Sequence, residues 1–151
     1  MGFLNNLKNS LIAIQKDLTK QVKQYKNKNF ADATMAACAL VAAADGNVDA
    51  NERRKVTGFI SSNDTLAVFD TNELQTTFNT YCDKLSTDFD FGKIDLLQVI
   101  AKLKKDSAQA RAAIQVAVII GYADGNFDDD EKEIVRKICR SLEINQAEFD
   151  L

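Results

Sequence analysis

The sequence predicts an all-α protein. Its 151 residues contain no proline and only six glycines, so the strongest helix breakers are absent or scarce. Apolar residues recur on steps of three and four through most of the chain, and no segment sustains the period of two that a half-buried strand requires. Acidic residues, serine and asparagine stand at several of the positions where such periodic stretches begin, as helix N-caps do.

Taken in order, residues 3–26 place Phe3, Leu4, Leu7, Leu11, Ile14, Leu18, Val22 and Tyr25 on one stripe, with Lys8, Lys16, Lys20 and Lys23 mostly off it. A second helix over residues 30–44 is rich in alanine, which permits close approach of neighbours, and Gly46 stops it. Asp49 caps a third helix running to residue 61, with Glu52 as the partner of a capping box. Residues 63–70 read as a loop holding a short apolar turn. Thr71 or Asn72 caps a fourth helix to residue 85, with Leu74, Phe78, Tyr81, Cys82 and Leu85 inward. Residues 86–90 read as a linker, and a fifth helix follows with Ile94, Leu97, Val99, Ile100 and Leu103 near its buried side. Ser107 starts a sixth, strongly apolar helix ending at Ala123, and Gly125 breaks it. Asp128 caps a seventh helix to residue 142, and Asn145 caps a last turn holding Phe149.

Composition narrows the chemistry. With 46% apolar and 27% charged residues the chain is ordinary for one soluble domain, and its length suffices to bury a core without staples. The absence of histidine removes imidazole metal ligands and the Ser-His-Asp and Cys-His forms of catalysis. Cys38, Cys82 and Cys139 are odd in number and show no CxxC spacing, which fits reduced thiols in a cytosolic setting. Residues 1–28 carry six lysines and one aspartate, net +5, whereas residues 29–151 carry 13 basic and 21 acidic groups, net −8. A basic arm on an acidic body argues against nucleic-acid binding and leaves an acidic partner or a membrane surface open to the arm. The expected organisation is therefore a basic amphipathic helix at 1–28 and a helical domain at 29–151. The opening residues lack the apolar core of a signal peptide, and the longest apolar run, ten residues from Met35, is too short to span a bilayer.

One repeat dominates the chain. Ala44-Asp45-Gly46-Asn47-Val48-Asp49-Ala50-Asn51-Glu52 returns 79 residues later as Ala123-Asp124-Gly125-Asn126-Phe127-Asp128-Asp129-Asp130-Glu131, with six of nine positions identical. The likeness extends outward, Ala39-Leu40-Val41 facing Val118-Ile119-Ile120 and Val56 facing Val135. Each copy is a helical hairpin whose turn carries Asp, Asp and Glu, and duplication implies that the two hairpins face one another. Capping accounts for the glycine, the second aspartate and the glutamate. It leaves Asp45 and Asp124, which the pattern puts in the last turn of a helix, against the negative end of its dipole. A compensating charge is expected there, either Lys or Arg or a hard divalent cation. Alternate oxygen-bearing side chains at 45, 47 and 49 and at 124, 126, 128 and 130 resemble only the first half of an EF-hand loop. An all-oxygen donor set selects calcium, magnesium or manganese over zinc or copper.

With two Ala-Asp-Gly motifs of this form in an all-helical chain of this size, the sequence resembles the TerB family of bacterial tellurite resistance proteins from about residue 30 to its end. The resemblance implies paired four-helix bundles, a metal site built from Asp45, Asp49, Glu52, Asp124, Asp128 and Glu131, and a role in tellurite resistance and stress response. It also implies a TerC-like integral membrane protein and TerD-like calcium-binding proteins as partners. The resulting expectation is a non-enzymatic sensor or adaptor in the cytoplasm, whose first helix either packs its stripe into the bundle, the commoner use of such a stripe, or lies on anionic lipid at the inner face of the membrane. Two alternatives stand beside it: an interaction module whose motifs are only helix caps, and a metal-dependent hydrolase, for which no nucleophile or substrate loop is visible. The basic residues after each turn (Arg53, Arg54 and Lys55; Arg136, Lys137 and Arg140) read as solvated or ion-paired faces, and the cysteines as buried hydrophobes.

Overall fold

The computed structural model of the chain describes residues 11–123 and 127–151, with side chains from residue 14 onward. Among them are seven α-helices: α1 (Leu11–Gln24), α2 (Lys28–Ala42), α3 (Ala50–Ser62), α4 (Thr71–Thr87), α5 (Phe89–Ala101), α6 (Ser107–Tyr122) and α7 (Asp129–Leu142). Short 3-10 turns lie at Asp64–Leu66, Lys102–Lys105 and Gln146–Phe149. No strand occurs among the described residues, and the all-α expectation holds.

Helix starts follow one chemical rule. Side-chain oxygens of Asn27, Asp49, Asp70, Asp88, Asp106 and Asp128 accept backbone N–H groups at the first turns of α2 to α7. Each satisfies donors that have no partner inside the helix. Two expectations are corrected by it. The cap of α4 is Asp70, with Thr71 already helical. The expected linker at 86–90 is nearly all helix, because Asp88 both ends α4 and caps α5, its carboxylate accepting from Phe91 N at 3.1 Å.

The core is organised around α2. That helix packs against α4, α5 and α6, and residues 33–41 are buried on all sides. Its alanines (Ala36, Ala37 and Ala39 among them) are fully buried, so neighbouring helices approach closely and dispersion contacts accumulate. The first helix turns Leu18 and Val22 into this core and leaves Lys16, Lys20 and Lys23 exposed. Hydroxyls of Thr19 and buried Thr65 pair at 2.9 Å, joining α1 to the Asp64–Leu66 turn. Residues 3–10 of the predicted stripe lie outside the described residues.

The fifth helix departs from the sequence reading. Its buried face is Gly92, Leu96 and Ile100, while Ile94 is 50% exposed and Phe91 69% exposed. The reason is a close crossing: a Cβ on Gly92 would lie 3.0 Å from the Lys84 carbonyl oxygen and 3.1 Å from Leu85 backbone atoms. Glycine brings α5 against the backbone of α4, and that contact, more than apolar count, sets the face turned inward. At the C-terminal end, Arg111 grips Glu148 through two hydrogen bonds of 2.8 and 3.1 Å, holding that carboxyl below its usual range and tying α6 to the last turn. No described helix is long and apolar enough to cross a membrane.

Candidate functional site: the twin acidic turns

The first turn begins where α2 runs out. Helix geometry stops at Ala42: the N–H of Ala43 is shared between the Ala39 and Leu40 carbonyls, and those of Ala44 and Gly46 close tighter three-residue bonds to the Val41 and Ala43 carbonyls. Gly46 takes a φ of +92°, a conformation that L side chains rarely adopt. Asp45 is therefore not in the last helical turn as expected. It stands three residues beyond it, exposed, with Oδ1 accepting Asn47 N–H at 3.0 Å. This local Asx turn accounts for an aspartate at the position without any cation. The dipole argument for a compensating ion thus loses its force in the first copy.

Asp49 caps α3, its Oδ1 accepting from Asn51 N at 2.6 Å and Glu52 N at 3.3 Å. The expected capping box does not close, because Glu52 Oε1 lies 3.4 Å from Lys55 Nζ instead. In the second copy it does close: Asp128 Oδ1 accepts from Glu131 N at 2.8 Å, and Glu131 Oε1 accepts from Asp128 N at 2.9 Å. Asp124, Gly125 and Asn126 lie outside the described residues. Just after them Phe127 is buried, its ring centroid 6.2 Å from that of Tyr122. A Cβ on Gly121 would meet that Phe127 ring at 2.6 and 2.8 Å. The equivalent pair in the first copy is Ala42 and Val48, so a smaller apolar side chain in place of the ring accompanies a larger helix residue.

One cleft joins the copies. It has a volume of about 320 Å³ and is lined by Glu52, Lys55 and Phe59 of α3, by Val41 and Ile120 near the ends of α2 and α6, and by Glu131 of α7. Both glutamates are half-buried there, and both aspartate caps are exposed. Asp45 and Asp49 each commit Oδ1 to the backbone, which leaves Oδ2 for other work among the described contacts. The donors suit a hard cation in kind. They are not gathered into a finished shell, since among the described residues no group of three or more Cys, Asp or Glu side chains is placed to hold a metal ion.

Residues 31–151 match the family model described as tellurite resistance protein TerB. The chain belongs to the TerB family. A tellurium resistance protein TerB from Alcaligenes sp is 36% identical over 118 residues, which is 78% of this chain and 97% of that relative. No solved structure matches the chain. Both acidic turns and, but for the first three residues of α2, the helices that position them fall inside the span matched to TerB, whereas α1 precedes it.

Elsewhere the polar groups serve the fold. Arg53 bonds Asn79 at 2.9 Å and pairs with Asp83 at 2.9 Å, and Arg136 and Arg140 share Glu133 at 3.3 and 3.1 Å. The cysteines are free and buried. Burial pushes the Cys38 thiol far up, with Cys82 nearby adding to it, and raises Cys82 and Cys139 to about 11. Protonated, enclosed thiols are poor nucleophiles. Lys55, read from sequence only as part of a solvated or ion-paired basic face, lines the cleft and pairs with Glu52. The available signal was its place three residues after Glu52, where the second copy has Ile134.

Proposed function

We propose that the protein is a non-enzymatic sensor or adaptor of tellurite resistance that takes one divalent, oxygen-preferring cation between its twin acidic turns. The observation that carries this reading is the shared cleft, which brings Glu52 and Glu131, the same residue of two repeat copies, to one space. Asp45, Asp49, Asp124 and Asp128 complete the proposed donor set. Calcium, magnesium or manganese supplies positive charge that offsets crowded carboxylates. Glu52 and Glu131 then draw inward, the hairpins close on the cleft, and the acidic surface offered to partners changes. The proposed partners are a TerC-like membrane protein and TerD-like calcium-binding proteins. Between residues 14 and 24 the surface offered to the inner face of the membrane is the basic one of Lys16, Lys20 and Lys23, because Leu18 and Val22 are spent on the core.

A second reading has its own support. Asp45 holds an Asx turn, Asp49 and Asp128 cap helices, and Glu131 closes a capping box, so these groups have structural work without a cation. On that reading the motifs are corners and function lies in docking. Equilibrium dialysis of the chelator-stripped protein against manganese separates the two. The cation reading predicts one saturable site at or below millimolar metal, lost in Glu52→Gln/Glu131→Gln. The corner reading predicts no saturable binding.

A further inference from the structure

Phe91 and Ile94 are the large apolar side chains left exposed among the described residues, and both belong to α5, one turn apart. Neighbouring exposure of this kind marks an interaction surface, where scattered single residues do not. Helical spacing carries the same outward stripe through Gln98 to Lys102 and Lys105, which are exposed as well. The 3-10 turn at Lys102–Lys105 keeps that course at its start, since Lys102 retains right-handed helical geometry. Charge is divided along this face. Asp88 and Asp90 stand at its beginning, Lys102 and Lys105 at its end. Among the described residues Asp90, Lys102 and Lys105 enter no ion pair. None of these residues lines the cleft between the acidic turns.

A stripe that starts acidic, continues apolar and ends basic is complementary to itself run in reverse. We propose that the outer face of α5 docks on α5 of a second copy, antiparallel, about a two-fold axis level with Leu96. The register that sets Asp90 level with Lys102 of the second copy also sets Phe91 beside its small Ala101 and Ile94 beside its Gln98. Asp90 and Lys102 are about 18 Å apart along the helix, so the two symmetry-related ion pairs close the ends and the apolar side chains lie between them. A parallel pairing would instead set Asp90 on Asp90 and Lys102 on Lys102, which like-charge repulsion disfavours. One helix against another buries less than the roughly 800 Å² per partner of a lasting interface. The dimer is therefore weak, concentration-dependent and sensitive to salt.

Sedimentation velocity of the full chain between about 10 and 500 µM, where weak interfaces fill, tests the pairing in low salt. The proteins compared are wild type, Ile94→Glu, Asp90→Lys, Lys102→Asp and the double swap Asp90→Lys/Lys102→Asp, each checked for folding by circular dichroism. Wild type should pass from monomer towards dimer across the range. Ile94→Glu puts a charge among the apolar side chains and should weaken association at least about tenfold. Each single reversal turns two attractions into two repulsions and should weaken it about three- to tenfold, while the double swap returns to within about threefold of wild type. A folded wild type that stays monomeric throughout overturns the proposal and leaves the face to a different protein. Association that ignores Ile94→Glu lies on another surface and overturns it too. Indifference to the single reversals, or a loss that the double swap does not restore, overturns the antiparallel register.

Discussion

Gly121 and Phe127 make a sharp test of how the second turn is held. A Cβ at 121 would sit 2.6 and 2.8 Å from two ring carbons of Phe127, well inside van der Waals contact. The ring is buried and flanked by Tyr122, so it has little room to retreat. Overpacking of this kind costs about 1–3 kcal/mol, against which alanine in place of helical glycine returns about 1 kcal/mol. Gly121→Ala should therefore lower stability, by up to about 2 kcal/mol. The first repeat has solved the same space with Ala42 and Val48. Placing Phe127→Val first should consequently reverse the sign: with the ring gone, Gly121→Ala becomes neutral or stabilising by up to about 1 kcal/mol. Urea unfolding of the four proteins in the cycle, followed by circular dichroism at 222 nm, reads both numbers. A loss of the same size in both backgrounds would refute the reasoning, because the clash with the ring would not be its cause.

Three further outcomes follow from particular groups. Glu131→Ala should cost about 1 kcal/mol more than Glu52→Ala in urea unfolding with chelator present, since only Glu131 bonds the backbone of its own cap; equal losses would contradict the asymmetry of the turns. Thr34 is buried in α2 with Oγ1 unpartnered, so Thr34→Val, nearly isosteric, should raise stability by about 1 kcal/mol; a decrease in the urea midpoint would show that the hydroxyl has a hidden role. Cys38, Cys82 and Cys139 should resist a thiol reagent at pH 8 in the native protein and react fully in urea, because burial keeps them protonated and enclosed. Rapid labelling of the folded chain would count against that.

Most of the fold was legible because its signals are local. Stripes such as Leu74, Phe78, Cys82 and Leu85 state which face of α4 is buried, and the Asx caps state where helices begin. The face of α5 was not legible, since Ile94 looks as apolar as Leu96 and only the approach of α4 at Gly92 decides between them. The acidic turns divide the same way. The duplication named the residues, and the cleft brings Glu52 and Glu131 together. Yet Asp45 lies past the helix end instead of within it, because the chain tightens after Ala42 through bonds that no composition or period announces. Identical motifs also hid unequal roles for their glutamates: Lys55 is available to one and Ile134 stands in its place beside the other.

Backbone amide shifts of the chelator-treated protein, recorded while calcium, magnesium or manganese is added, address the cation reading at its root. Binding across the cleft predicts concerted, saturable changes at both 44–52 and 123–131, with little elsewhere beyond the ends of α2 and α6. Unchanged amides in both turns at millimolar metal, or changes confined to one of them, would contradict a site shared by the two repeats.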